Sequence, residues 1–213
     1  MAYPVFSVPV IGLLLAGWLA LPVDAQINRY VAPGGVDVTN TCIEVGNPCA
    51  TLGYAIGQAS ESGGDVIQMA AGTYTEPGLE IDRSITLRGT GTVATILQAA
   101  SSLELSSNRV VWVRSGCTAV VEQITIRHGQ TRSGLAGDSA EGGAGENGAG
   151  LLINGAAYLW RCVISSNRTG NGGTGAAGFQ GGRGGRGGGI YSDGYLELLE
   201  CTGSDNQTGA GGA

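Results

Sequence analysis

The side chains able to do chemistry are few and scattered. Carboxylates stand singly at Asp65, Glu76, Glu80, Asp82, Glu104, Glu122, Asp138, Glu141, Glu146, Asp193, Glu197, Glu200 and Asp205, with no Asp-Asp pair. Glycoside hydrolysis needs two carboxyl groups facing one sugar, and such a pair could form here only between neighbouring turns of a repeating fold. Glu122, Arg161 and Glu200, at corresponding positions of successive units, come nearest to a cluster and read as a solvated, outward-facing ladder. His128, the one histidine, is the single candidate general base, and the pattern around it is structural. Cys42, Cys49, Cys117, Cys162 and Cys201 lack the neighbouring ligands a metal centre requires. Cys42 and Cys49 bracket a short Gly- and Pro-containing loop and are the candidate disulfide. The sequence therefore assigns no catalytic residue, no metal ligand and no cofactor.

Three glycine motifs fail on context. Gly89-Thr90-Gly91-Thr92-Val93-Ala94 imitates a dinucleotide fingerprint, but a strand and no helix follows it. Arg183-Gly184-Gly185-Arg186-Gly187-Gly188 imitates an RNA-binding segment, but two Arg in a chain of formal charge −6 make no phosphate track, so the segment reads as a flexible loop and nucleic acid is not expected as a partner. The calcium-binding repeat G-G-x-G-x-D has no Asp in register. Asn167-Arg168-Thr169 and Asn206-Gln207-Thr208 are formal glycosylation sequons, yet both fall on the Asn corner of a repeat, where stacked amides account for them.

Elements must position whatever function there is. Residues 5–23 are uncharged and Val23-Asp24-Ala25 offers small residues for cleavage, so residues 1–25 read as a signal peptide and the mature chain starts at Gln26 without a membrane span. Forty glycines among 213 residues argue against helical bundles, and their irregular spacing with six Pro argues against collagen. The second half repeats. At an offset of 39, Gly150–Gly155 overlies Gly189–Gly194, Leu159–Cys162 overlies Leu198–Cys201, and Ser165–Gly170 overlies Ser204–Gly209. A weaker copy begins at Val111 and places Glu122 beside Arg161. Each unit holds two short β-favouring runs, Leu151–Ile153 and Tyr158–Ile164, and long Gly-rich loops, Gly129–Ala149 and Arg168–Gly188, project between units. Short strands at a fixed period describe coils stacking like on like, with Leu151 near Ile190 and Cys162 near Cys201. Upstream, residues 26–99 differ: a strand at Asn28–Ala32, a helix from Ala50 with Leu52, Ala55 and Ile56 on one face and a stop at Ser62-Gly63-Gly64, then strands at Val66–Met69, Leu79–Ile81, Ile85–Leu87 and Thr95–Leu97. This reads as a cap and first coils, followed by repeats over 100–213 that break off inside a third Gly-rich stretch, as in a chain truncated at its C-terminus.

Those residues resemble secreted proteins of the pectin-lyase-like superfamily. The likeness is carried by Tyr30–Gly35, Pro48–Leu52, Gly64–Glu76, Ser84–Gly89 and Ile124–Gly129. Gly188-Gly189-Ile190-Tyr191 with Ile164-Ser165-Ser166-Asn167 is similar to the repeats of polymorphic outer-membrane proteins, although Ile164 and Gly203 stand where that group has an aromatic. The resemblance implies an all-β fold, a right-handed parallel β-helix with a short N-terminal capping helix. It implies an exported or cell-surface location and contact with polysaccharide or a cell-surface ligand. With no catalytic constellation present, the expected function is a non-enzymatic scaffold for adhesion or polysaccharide contact, with Trp160, Tyr191 and Tyr195 as candidate contacts. The alternative is an N-terminal fragment of a polysaccharide lyase or glycoside hydrolase whose active coils lie beyond residue 213.

Overall fold

A computed structural model describes residues 26–213; the expected signal peptide, residues 1–25, lies outside the described residues. The chain forms fifteen strands: β1 Asn28–Val31, β2 Asp65–Met69, β3 Gly72–Thr75, β4 Leu79–Ile81, β5 Ile85–Arg88, β6 Thr95–Gln98, β7 Val111–Val113, β8 Thr118–Glu122, β9 Thr125–Arg127, β10 Leu151–Ile153, β11 Ala156–Trp160, β12 Val163–Ser165, β13 Ile190–Ser192, β14 Tyr195–Leu199 and β15 Thr202–Ser204. From β2 onward they fall in strict rotation into a six-stranded sheet (β1-β2-β5-β8-β11-β14), a five-stranded sheet (β3-β6-β9-β12-β15) and a four-stranded sheet (β4-β7-β10-β13). Every strand pairing is parallel, as between β8 and β11 or β9 and β12. Three parallel sheets visited in turn are consistent with a parallel β-helix, and one circuit of the three is called a coil below.

Alternation along each strand builds the core. Ile67, Leu87, Val121 and Leu159 are in-register partners on the six-stranded sheet, and all are buried. Tyr74, Leu97, Ile126 and Ile164 make the same ladder on the five-stranded sheet, and Leu79, Val111 and Leu151 on the four-stranded one. Each such Leu or Ile contributes about 1.5–3 kcal/mol relative to exposure. Leu151 pairs with Ile190 as the repeat indicates, and Val163 with Thr202, which stacks Cys162 on Cys201.

Each coil carries three strands, not the two read from the sequence. The run Tyr158–Ile164 splits at Arg161, whose φ of 51° lies in the left-handed region. Gln123 and Glu200 occupy the same corner in the neighbouring coils, with φ of 58° and 54°. His128, Ser166 and Asp205 form a second corner, at 58°, 53° and 53°. A left-handed non-Gly residue costs about 1–2 kcal/mol. Here one such residue turns the chain sharply, and its amide still bonds across the coils: Arg161 N to Leu199 O at 3.0 Å and His128 N to Ser166 O at 3.1 Å. A strand at Gly72–Thr75, absent from the sequence reading, supplies the five-stranded sheet in the first coil.

The single α-helix among the described residues, α1 at Leu52–Gln58, buries Leu52, Ala55 and Ile56 and packs on β1, β2 and β4. It ends at Gln58 with Ala59 as its C-cap, short of the expected stop at Ser62-Gly63-Gly64, and Arg83 donates to Ala59 O at 2.6 Å. Its start is held by carboxylates. Asp37 accepts from Ala50 N and Thr51 N, and Glu76 accepts from Leu52 N at 2.6 Å and Gly53 N at 2.9 Å. Beside it a buried Arg29–Asp65 pair at 2.7 Å ties β1 to β2, and a Cys42–Cys49 disulfide, Cα atoms 5.1 Å apart, closes the loop that covers β1.

The Gly-rich segments are ordered, correcting the flexible loop read at Arg183–Gly188. Each leaves the coil after the five-stranded sheet, runs out, folds back and re-enters at the four-stranded sheet. Thr131, Gly134 and Gly137 donate to Arg168, Asn171 and Thr174 of the next coil. Thr169, Gly172 and Gly175 donate to Gln207, Ala210 and Ala213, and the returning Gly142, Gly145 and Gly148 donate to Gln180, Arg183 and Arg186. The three-residue step is that of a polyproline-II helix, which leaves its backbone donors free for neighbours. A second set of bonds crosses between the outgoing and returning layers: Gly143 N to Leu135 O, Gly173 N to Gly143 O, Gly182 N to Gly173 O and Gly212 N to Gly182 O, each 2.8 Å. At this spacing a Cβ on Gly134 would overlap a carbonyl of the facing layer, and one on Gly173 or Gly182 a carbonyl of the neighbouring segment in its own layer. Glycine is required there by close approach, not by turn formation.

Candidate functional site

The corners and sheets decide which polar and aromatic groups reach solvent. On the six-stranded sheet the outward positions of β11 and β14 carry Tyr158, Trp160, Tyr195 and Leu199, with Tyr158 opposite Glu197 and Trp160 opposite Leu199. Tyr158 and Tyr195 are 40% and 54% exposed, and their rings lie 5.3 Å apart with a 44° tilt. The guanidinium of Arg161 sits 4.5 Å from the Trp160 ring centre, a cation–π contact that steadies the indole. Trp160 and Tyr195 thus share one face. Tyr191 does not: it lies on β13, in an outward row Glu80–Trp112–Leu152–Tyr191 across the four-stranded sheet. Tyr158 was missed in the sequence reading; it stands two residues before Trp160, and the period of two along a strand puts both on one face.

Four carboxylates on these two faces are ion-pair partners, while Glu197 accepts from the Tyr195 hydroxyl at 3.1 Å. Glu122 pairs with Arg88 at 2.5 Å and Glu200 with Arg161 at 2.6 Å. The ladder expected of Glu122, Arg161 and Glu200 is therefore shifted by one position. Glu122 stands opposite Trp160, and it is Gln123 that occupies the corner equivalent to Arg161, because the upstream copy aligns one residue later. On the four-stranded face Arg114 pairs with Glu80 at 3.2 Å and also stacks 4.1 Å from the Trp112 ring, while Arg109 pairs with Glu146 at 3.3 Å.

His128 occupies a corner with Nδ1 3.2 Å from Ala100 O, so a proton on Nδ1 bonds that carbonyl. Among the described residues no group of three or more His, Cys, Asp or Glu side chains is placed to hold a metal ion. Burial pushes the Cys162 thiol up to about 11, and its Sγ lies 3.3 Å from Val121 O. Cys162 is thereby a poor nucleophile. Asn167, 0% exposed, accepts from Gly129 N at 2.8 Å and donates to Ser165 O and Asn206 Oδ1, both at 2.9 Å. Its amide is fully committed inside the stack, which leaves the sequon no free nitrogen for a sugar.

No protein-family model matches the chain, and no curated protein matches it. Among solved structures it is similar to the pectin methylesterase from Aspergillus niger in deglycosylated form, at 16% identity and a TM-score of 0.35, over 87% of this chain and 59% of that one. No helix of the described residues is long and apolar enough to cross a membrane.

Proposed function

We propose that the chain is an exported, right-handed parallel β-helix scaffold, capped by α1, that contacts polysaccharide or a cell-surface glycan without transforming it. The hand follows from the strong preference of parallel β crossovers for the right-handed connection. One observation carries the functional reading: Tyr158, Tyr195 and Trp160 stand together on the outward face of a flat sheet, two of them exposed and one braced by Arg161. Aromatic rings fixed on a rigid face offer apolar area to the C–H face of a sugar at little entropic cost, since their rotamers are already held. Of the carboxylates nearby, Glu122 and Glu200 are bound to Arg partners and Glu197 to the Tyr195 hydroxyl, an arrangement that suits a contact surface better than acid–base work.

The test is retention on insoluble neutral polysaccharides by the protein and by a Tyr158→Ala/Tyr195→Ala double variant, with circular dichroism confirming the fold. Loss of affinity of about tenfold or more is expected, equivalent to roughly 1.4 kcal/mol. Unchanged retention in the double variant, or a drop produced only by Tyr191→Ala on the other face, removes the six-stranded face from the reading. Export is tested separately, by mass spectrometry of protein recovered from the medium, where a chain beginning at Gln26 is expected.

A further inference from the structure

Three Asn-Gly pairs occur in the chain: Asn147-Gly148, Asn154-Gly155 and Asn171-Gly172. Such a pair is reactive in any polypeptide, because glycine has no Cβ to shield its amide nitrogen from the preceding side-chain carbonyl. What differs between the three is the state of that nitrogen. Gly148 N donates to Arg186 O at 2.9 Å and Gly172 N to Ala210 O at 2.8 Å, each as one rung of the glycine layers. Gly155 N donates to no acceptor among the described residues, and Asn154 and Gly155 are both half-buried. The side-chain carbonyls do not separate the three. Asn154 Oδ1 accepts from Trp112 Nε1 at 2.7 Å, Asn147 Oδ1 from Arg186 N at 2.8 Å and Asn171 Oδ1 from Ala210 N at 2.9 Å, so each is polarised by one N–H.

The turn between β10 and β11 cannot shed its glycine. A Cβ on Gly155 would stand 2.3 Å from Cys117 O and 2.4 Å from Arg114 O of the preceding coil. The same turn can hold a carboxylate. At the offset of 39, Asp193-Gly194 takes the place of Asn154-Gly155 in the next coil, and there Gly194 N is bonded to Ile153 O at 3.3 Å.

We propose that Asn154 is a site of spontaneous deamidation in the folded protein, with water as the co-reactant. Gly155 N attacks Asn154 Cγ. The N–Cγ bond forms, the Cγ–Nδ2 bond breaks, and the proton of the Gly155 amide leaves with Nδ2 as ammonia. Water then opens the cyclic imide at either carbonyl, giving aspartate or isoaspartate with no change of oxidation state. Aspartate keeps the bond from Trp112 and adds a negative charge beside that indole, on which Arg114 stacks at 4.1 Å. Isoaspartate lengthens the main chain by one methylene between pinned points: Asn154 N is bonded to Val113 O and Ala156 N to Cys117 O, both at 2.9 Å. The isoaspartyl form is therefore expected to melt at a lower temperature. None of this depends on the chain binding a glycan.

Peptide mass spectrometry of the folded protein held in mildly alkaline buffer tests the proposal, following at each asparagine the mass gain of exchanging NH2 for OH. Fragment ions separate Asn147 from Asn154 on the tryptic peptide Ser133–Arg161, and the urea-unfolded chain is the reference. Comparable rates at all three asparagines are expected in urea. In the folded protein Asn154 should react about tenfold faster than Asn147 or Asn171, equivalent to about 1.4 kcal/mol, the size of the hydrogen bond that must open first at Gly148 or Gly172. Labelling by an isoaspartyl carboxyl methyltransferase should fall on the same peptide and drop in Asn154→Gln, whose longer side chain closes the ring poorly. Asn147 or Asn171 keeping pace with Asn154 in the folded protein overturns the proposal. So does an unaltered Asn154 after an interval in which the unfolded chain has reacted at all three positions.

Discussion

Gly182→Ala tests the glycine layers most directly. Gly182 is the hub of the cross-layer chain: its N–H bonds Gly173 O and its carbonyl accepts from Gly212 N, both at 2.8 Å. A Cβ there would overlap Gly143 O by more than about 1 Å relative to ordinary van der Waals contact. The obstacle is backbone, itself bonded to Gly173 N, so no side chain can swing aside. The neighbouring segments must part, at about 1–3 kcal/mol for overpacking and about 1 kcal/mol net for each of the two bonds stretched. The expected destabilisation is about 3–5 kcal/mol, a fall of roughly 10 °C in melting temperature for a chain of this size. Thermal and urea melts followed by circular dichroism read it, with Gly57→Ala as control. Gly57 lies inside α1, where a Cβ meets nothing within 4 Å, and alanine should stabilise by about 0.5–1 kcal/mol. A flexible loop would accept Gly182→Ala freely, so a wild-type melting curve for that variant would refute the account of these segments as packed layers.

Two further outcomes follow from buried polar groups. Burial raises the pKa of Glu76 above its ordinary 4.5, opposed by the hydrogen bonds from Leu52 N and Gly53 N, so the folded chain holds this proton more tightly than the unfolded one. The associated stability is present below the ordinary value and is lost as pH rises through the folded value; Glu76→Gln should flatten that part of the pH–stability curve, and an unchanged slope would exclude Glu76 as its source. Asn167→Ala strips Gly129 N and Asn206 of their partner at a fully buried point and should cost about 2–4 kcal/mol in urea unfolding, whereas Asn206→Ala, one coil on and partly exposed, should cost less.

Much of the architecture was legible because it is written in periods. Alternation gave the strands at Leu79–Ile81 and Leu151–Ile153 with their observed bounds, and the offset of 39 gave the stacking of Leu151 on Ile190. The helix face Leu52, Ala55 and Ile56 was equally plain. What misled was local chemistry overruled by neighbours. Nothing in Leu159-Trp160-Arg161-Cys162 announces a left-handed corner, since Arg, Gln and Glu have no preference for it; the bend is imposed where the cross-coil amide bonds demand it. The same hidden corner concealed the third strand of each coil and shifted Glu122 by one residue. The aromatic pairing was half legible: Trp160 and Tyr195 were singled out, but Tyr158 and the separation of Tyr191 required knowing which sheet each strand joins.

The sequence by itself determined the coil: apolar residues at alternate positions can be buried only if each strand meets its equivalent in the next repeat, and that condition is visible in one dimension. Only the tertiary structure decided the fate of the glycines and the arginines. A Gly-rich stretch is compatible with freedom or with close packing, because glycine lowers the steric barrier to both; here facing carbonyls of three successive segments select packing. An arginine likewise carries one charge in any sequence. Whether that charge is cancelled, as at Arg88 and Arg161, or left beside a neutral amide, as at Arg168, depends on which side chain the neighbouring coil sets beside it.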